Sequence, residues 1–150
     1  MRNLASTVLS VLIAFVLLCI IPIFYVSIIQ YARSTVIVLS ETRNLIDNVI
    51  DTRKLSEDDL ADFQIGITST NAYYNATIMR KVRVVNPDPN NPGKTYTTFV
   101  VVDDIYNYNQ GDRIIVKVEP IGQSLYQVLA RAFLQILVED ESFTLAGRVR

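Results

Sequence analysis

NLASTVLSVLIAFVLLCIIPIFYVSIIQYA, residues 3–32, carries no charged side chain. The apolar core of a secretory signal runs to about 7–15 residues, and a helix that crosses a bilayer needs about 20. The stretch is therefore read as a retained membrane anchor. The helical pattern continues past it. Val38, Leu39, Leu45, Ile46, Val49 and Ile50 recur at helical spacing with Thr42 on the same side, while Glu41, Arg43, Asp47, Asp51 and Lys54 lie mostly off that stripe. One helix from about Leu4 to Arg53 would be about 75 Å long at 1.5 Å per residue. The chain is divided accordingly: 1–32 a transmembrane anchor, 33–54 its amphipathic continuation, and 55–150 an extracytoplasmic head against which the stripe packs.

Pro22 interrupts the apolar run. A kink there is tolerated in a membrane helix when neighbouring groups satisfy the freed carbonyl. Ser6, Thr7, Ser10 and Ser27 can hydrogen-bond between helices. Two readings stand: an ordinary kinked anchor, or a helix that packs against copies of itself through Leu4, Val8, Leu12, Phe15, Leu18, Pro22 and Phe24. Arg2 precedes the span, and Arg33, Arg43, Arg53 and Lys54 follow it, so the count of basic residues does not favour a cytoplasmic N-terminus. The short N-terminal tail and the Tyr/Asn/Thr-rich remainder favour N-in, C-out, and that orientation is expected.

Beyond the stripe, Ser56 followed by Glu57, Asp58 and Asp59 reads as an N-cap with acids in the first turn, opening a short helix to about Phe63. Gly66 and Thr68-Ser69-Thr70-Asn71 read as a loop. From Tyr73 the period becomes two. Tyr74, Ala76, Ile78, Arg80, Val82 and Val84 alternate against Asn75, Thr77, Lys81 and Arg83, which predicts a long strand. Asn86-Pro87-Asp88-Pro89-Asn90-Asn91-Pro92-Gly93 is a turn, and Thr95 to Asp103 a second strand. Asn107 to Asp112 forms another turn, and Arg113 to Glu119 a third strand. Leu125, Val128, Leu129, Ala132, Phe133, Ile136 and Leu137 predict a helix of about 15 residues, too short to span a bilayer and expected to be buried on more than one side. Phe143 to Arg150 reads as a closing strand. The fold class is α+β: a long N-terminal helix, then a small antiparallel-sheet head with one further amphipathic helix.

Composition narrows the function. Net charge is −1 over 150 residues, so there is no electrostatic case for nucleic acid. There is no His and one Cys, Cys19, inside the span, which removes the commonest general base and any intrachain disulfide. The carboxylate clusters Asp103-Asp104 and Glu139-Asp140-Glu141 read as solvated element ends. Asp88, Asn90 and Asn91 lack the spacing of a calcium loop. Asn75-Ala76-Thr77 is an N-glycosylation acceptor triplet inside a predicted strand. No catalytic residue, metal ligand, cofactor or small-molecule substrate is assigned, and an enzyme is not expected.

The short Met1-Arg2-Asn3 lead, the apolar helix from Leu4, Pro22 within it and the amphipathic continuation together resemble the pilin-like proteins of the type IV filament superfamily, in particular the Tad-type (TadE-like) minor pilins or pseudopilins. Gly111-Asp112-Arg113-Ile114-Ile115-Val116-Lys117-Val118 is similar to that group's glycine–acid turn and strand. Phe143-Thr144-Leu145-Ala146-Gly147-Arg148-Val149-Arg150 is similar to its closing strand. The family carries a Glu at the fifth residue of its mature helix. Here that place holds Ala5, and no acid occurs before Glu41, which implies a minor or specialised subunit. The resemblance implies a structural subunit of a surface filament, held in the membrane before assembly and partnered by copies of itself or by other pilin-like subunits. The alternative is a non-polymerising single-span protein serving a secretion or conjugation machine.

Overall fold

In the computed structural model the N-terminal third of the chain becomes one element: α1 is a single helix, Arg2–Thr52, that continues through Pro22. The structure describes residues 2–70, 72–136, 138 and 142–150, with Arg2 and Asn3 described as backbone only. Asn71, Leu137 and the acids Glu139, Asp140 and Glu141 lie outside the described residues. After α1 come α2 (Glu57–Thr68), β1 (Tyr74–Pro87), β2 (Thr95–Val102), β3 (Arg113–Pro120), α3 (Leu125–Leu129) with a π-helical turn at Ala130–Leu134, and β4 (Phe143–Arg148). The protein is α+β. By its contacts the chain forms two compact units, residues 1–33 with 123–139, and residues 34–122 with 140–150. The grouping sets 123–139 with the start of α1, where the sequence division has them in the head.

The second unit is a helix-on-sheet layer. Its sheet is antiparallel with strand order β2-β1-β3-β4. β1 is long enough to be shared. Tyr74 to Lys81 pair with β3 along one edge, and Arg80 to Pro87 pair with β2 along the other. The inward row of β1 is the one the alternation picks out, with Tyr74, Ala76 and Ile78 packed on a core that contains Ile114, Val116 and Val118 of β3. Leu45, Ile46 and Val49 of α1 are buried in that core, with Ile50 half-buried against it, and Val38 and Thr42 complete the buried stripe. Leu39 is half-buried at the margin. The Thr42 hydroxyl, fully buried, donates to the Val38 carbonyl one turn back at 2.7 Å. A polar group is thereby placed in an apolar layer without an unmet bond.

Two glycines record how close the layers come. A Cβ on Gly147 of β4 would overlap Ile46 and lie 2.7 Å from Ile50 Cδ1. A Cβ on Gly66 would lie 2.8 Å from Glu41 Cγ. That second contact corrects the expected loop at Gly66. α2 continues to Thr68 because its glycine lets it lie against α1, and Phe63 and Ile67 bury one turn apart. The start of α2 matches expectation. Ser56 is the N-cap and accepts from the Asp59 amide at 3.1 Å, while Asp59 accepts from the Ser56 amide at 2.8 Å. The Ser56 hydroxyl also donates to Asp59, and this bond above all holds the Asp59 carboxyl below its ordinary range.

The helix predicted from Leu125 to Leu137 is shorter than expected. Ser124 and Gln127 form a capping box, yet α-helical bonding stops at Leu129, one π turn follows, and Gln135 takes a left-handed conformation at φ 54°. Burial also differs from expectation. Gln127 and Ala130 are buried, while Leu125, Val128, Phe133, Leu134 and Ile136 are exposed.

Gly147→Val is expected to destabilise the folded unit by about 1–3 kcal/mol, because two isoleucines must move to admit the branched side chain. Ala146→Val, on the exposed face one residue away, should stay within about 0.5 kcal/mol of the parent. Urea titration of both variants in detergent, followed by circular dichroism, reads the difference.

Candidate functional site

The largest chemically distinctive surface is the first part of α1. Among the described residues, the only helix long and apolar enough to cross a membrane lies within Leu4–Thr52, and its most apolar window is 6% buried. Leu4, Val8, Leu12, Phe15 and Leu18 are exposed, Leu4 and Leu18 by more than 70%. So are Ile13, Val16, Leu17 and Ile21 on the other sides, so exposure runs around the whole circumference. Soluble monomers rarely leave more than a few hundred Å² of continuous apolar surface open to water. Pro22, also exposed, has no amide hydrogen, so the Leu18 carbonyl loses its intrahelical donor. The Ser10 hydroxyl donates to the Ser6 carbonyl at 2.9 Å, within its own helix.

Phe24 departs from its assigned place on the assembly surface. Its ring packs on Tyr126 of α3 at 5.8 Å between centroids, and Tyr31 packs on the same ring at 5.3 Å. Ser27, on the same side of α1 between them, is buried and donates to the Phe24 carbonyl at 2.7 Å. The chain's own third helix therefore covers this stripe.

A second arrangement, which sequence reasoning missed, is a buried polar centre in the head. Arg80 sits in the inward row of β1 and is 6% exposed. Its Nε and one terminal nitrogen donate to Asp112 Oδ2 at 2.9 and 2.7 Å. The other terminal nitrogen donates to the Asp104 carboxylate and carbonyl, both at 3.3 Å. The Tyr108 ring lies 5.4 Å from the guanidinium carbon. Asp104, Tyr108 and Asp112 all belong to the segment that crosses from β2 to β3, from one side of β1 to the other. The same segment is tied to the end of α1, with Tyr108 N–H to the Arg53 carbonyl at 3.0 Å and Leu55 N–H to the Tyr106 carbonyl at 2.9 Å. Arg53 adopts φ 58° there and donates from its guanidinium to the Arg150 carbonyl at 2.7 Å. Both carboxylates of the centre are engaged by Arg80, so the arrangement holds the crossing segment in place. The one available signal was Arg80 itself, a charge at an apolar position of the alternation.

The remaining candidates are placed apart. Asn75 is exposed on the outer row of β1, opposite Glu119. Asp88 accepts from the Asn90 amide at 2.9 Å and from the Asn91 side chain at 3.3 Å, so its oxygens shape their own turn. Asp104 is solvated as expected, its side chain 53% exposed, and it also meets Arg80 as just described. Among the described residues no group of three or more His, Cys, Asp or Glu side chains is placed to hold a metal. Comparison with known protein families, curated proteins and solved structures gives no match.

The Tyr108 hydroxyl is buried and has no hydrogen-bond partner among the described residues. Burial pushes its pKa up to about 12, against the pull of the Arg80 charge and with Asp104 and Asp112 adding to the rise. Unfolded tyrosine ionises near 10. The folded state therefore resists losing a proton that the unfolded state gives up. Stability is full below pH 10 and falls between 10 and 12, by about 2–3 kcal/mol from this residue. Tyr108→Phe should remove that alkaline loss and leave neutral stability unchanged or about 1 kcal/mol higher, as read by urea midpoints at pH 7 and 11. Arg80→Met, which strands Asp112 in the interior, should cost about 3–5 kcal/mol at pH 7.

Proposed function

We propose that this chain is a structural, pilin-like subunit of a surface filament, of the type IV superfamily in its Tad-type form. The observation that carries the reading is the exposure of apolar side chains around the entire circumference of α1 between Leu4 and Leu18. Such a surface requires lipid or other helices on every side. Before assembly the helix is membrane-inserted, N-terminus inside, with the head extracytoplasmic. On assembly its lipid neighbours are replaced by α1 of other copies or of related subunits. Lipid tails are as apolar as leucine, so the exchange gains little hydrophobic energy. Packing and interhelical hydrogen bonds drive it, and the Leu18 carbonyl released by Pro22 offers one acceptor for a neighbour's hydroxyl. The absence of any charged residue from Asn3 to Ala32 means that no buried charge must be paired for this exchange to occur.

A non-polymerising anchor for a secretion or conjugation machine would use the same helix without self-contact. Mass spectrometry of material sheared from the cell surface separates the two. Abundant recovery in a fibrous fraction supports the filament subunit, and complete retention in the membrane pellet overturns it in favour of the anchor. Phe15→Arg is expected to reduce membrane insertion by about 3 kcal/mol, seen as loss of the chain from the carbonate-washed membrane fraction.

A further inference from the structure

The outer face of the sheet is strongly basic. Register places Lys81 of β1 beside Arg113 of β3, and Arg113 beside Arg148 of β4, so three cations stand in a row across three strands. Arg83 follows two residues along β1, opposite Phe99 of β2, and the Arg113 guanidinium lies 3.9 Å from the Phe99 ring centroid. Like charges directly opposite each other destabilise a sheet. Among the described residues no carboxylate pairs with Lys81, Arg83 or Arg148. Among the described strand residues the one acid on this face, Glu119, is taken by Lys117 at 2.6 Å. The opposite layer of the same unit carries the reverse sign. Asp47 and Asp51 of α1, with Glu57, Asp58 and Asp62 of α2, are exposed and turned away from the core. Arg43 is the base among them, while Arg53 and Lys54 stand beyond, where α1 ends.

We propose that the basic face of the sheet docks the acidic α1/α2 face of a second copy of this chain. The inference rests on the filament reading and names the contact between heads that accompanies helix packing. One molecule carries both complementary faces on opposite layers, so the contact is heterologous and leaves each added copy with a free face for the next, as a filament requires. Its size fits an auxiliary role. Four strands about 4.8 Å apart and eight residues long at about 3.3 Å each present roughly 500 Å², below the roughly 800 Å² per partner of a self-sufficient interface. The charges orient the heads, and the apolar helices supply the remaining attraction.

The test uses the full chain in detergent micelles, mixing isotopically light and heavy copies and coupling amines to carboxylates with a zero-length carbodiimide. Mixed-isotope crosslinks joining Lys81 or Lys117 of one copy to Asp47, Asp51, Asp58 or Asp62 of another are expected, falling about tenfold in 0.5 M salt. Lys81→Glu with Arg83→Glu should abolish the Asp58 and Asp62 crosslinks from the remaining Lys117. Asp58→Lys with Asp62→Lys in the partner copy should restore association between the two variants, with coupling of the new lysines to the new glutamates. Circular dichroism melts of each variant confirm that the fold is kept. Fibres that form without these crosslinks overturn this inference and leave the filament reading standing. Crosslinks in micelles from a chain found only in the membrane pellet support head docking while the filament reading fails. Binding of the basic face to vesicles containing anionic phospholipid, lost in Lys81→Glu with Arg83→Glu but unaffected by Asp58→Lys with Asp62→Lys, with no mixed crosslinks, overturns the second copy as the occupant.

Discussion

The head is organised by the contact of α1 with the inner face of the sheet, tightest where Ile46 and Ile50 meet Gly147. A four-stranded sheet with one apolar face must cover that face to persist in water. Ile114, Val116 and Val118 are fully buried in the core that α1 helps to form, and each contributes about 1.5–3 kcal/mol when removed from water. The stripe that does the covering is narrow. It mixes Val38, Leu45, Ile46 and Val49 with Thr42, whose hydroxyl is turned back to its own helix. A small residue on the strand side and a self-satisfied hydroxyl on the helix side both allow the backbones to approach. Bulk added to either would separate the layers along their length.

The shared strand β1 creates the second constraint. Because β2 and β3 lie on opposite edges of it, the connection between them has to cross its face at the level of Arg80 and Lys81. That crossing covers a charged side chain. Removing Arg80 and Asp112 from water costs several kcal/mol per ion, and their attraction roughly offsets it. The pair therefore contributes little net stability but fixes where the segment lies. Tyr108 is carried into the interior by the same segment, and its unpartnered hydroxyl is a cost imposed by position.

Much of this was legible in the sequence because single-period patterns dominate it. The uncharged run from Asn3 to Ala32, the stripe through Val49, the inward row of β1 and the Ser56 cap each arise from local spacing, and each stands where expected. Contacts set by distant residues were not legible. α2 runs past Gly66, whose missing side chain leaves room for Glu41 of α1, a contact no local rule anticipates. The helix after Ser124 has apolar spacing as regular as that of the stripe, yet it turns π-helical at Ala130 and leaves Phe133 and Ile136 exposed, while Tyr126 makes the ring contacts with Phe24 and Tyr31. Arg80 was visible as an exception, but its partners Asp104 and Asp112 lie 24 and 32 residues away and could be named only once the strand order was known.

The bond from the Arg53 guanidinium to the Arg150 carbonyl joins residues 97 apart, and the meeting of Ile46 with Gly147 is of the same span. Contacts so remote in sequence slow folding, because a long loop must close before they reward it. During synthesis the hairpin of β1 and β2 can form early. The part of the α1 stripe that meets Gly147, at Ile46 and Ile50, must wait uncovered until β4 has been made. For that interval the nascent head exposes Ile46 and Ile50 together with the unpaired edge of β3. This is the state in which a chain of this design is most exposed to aggregation, and in which a membrane already holding α1 would keep copies apart.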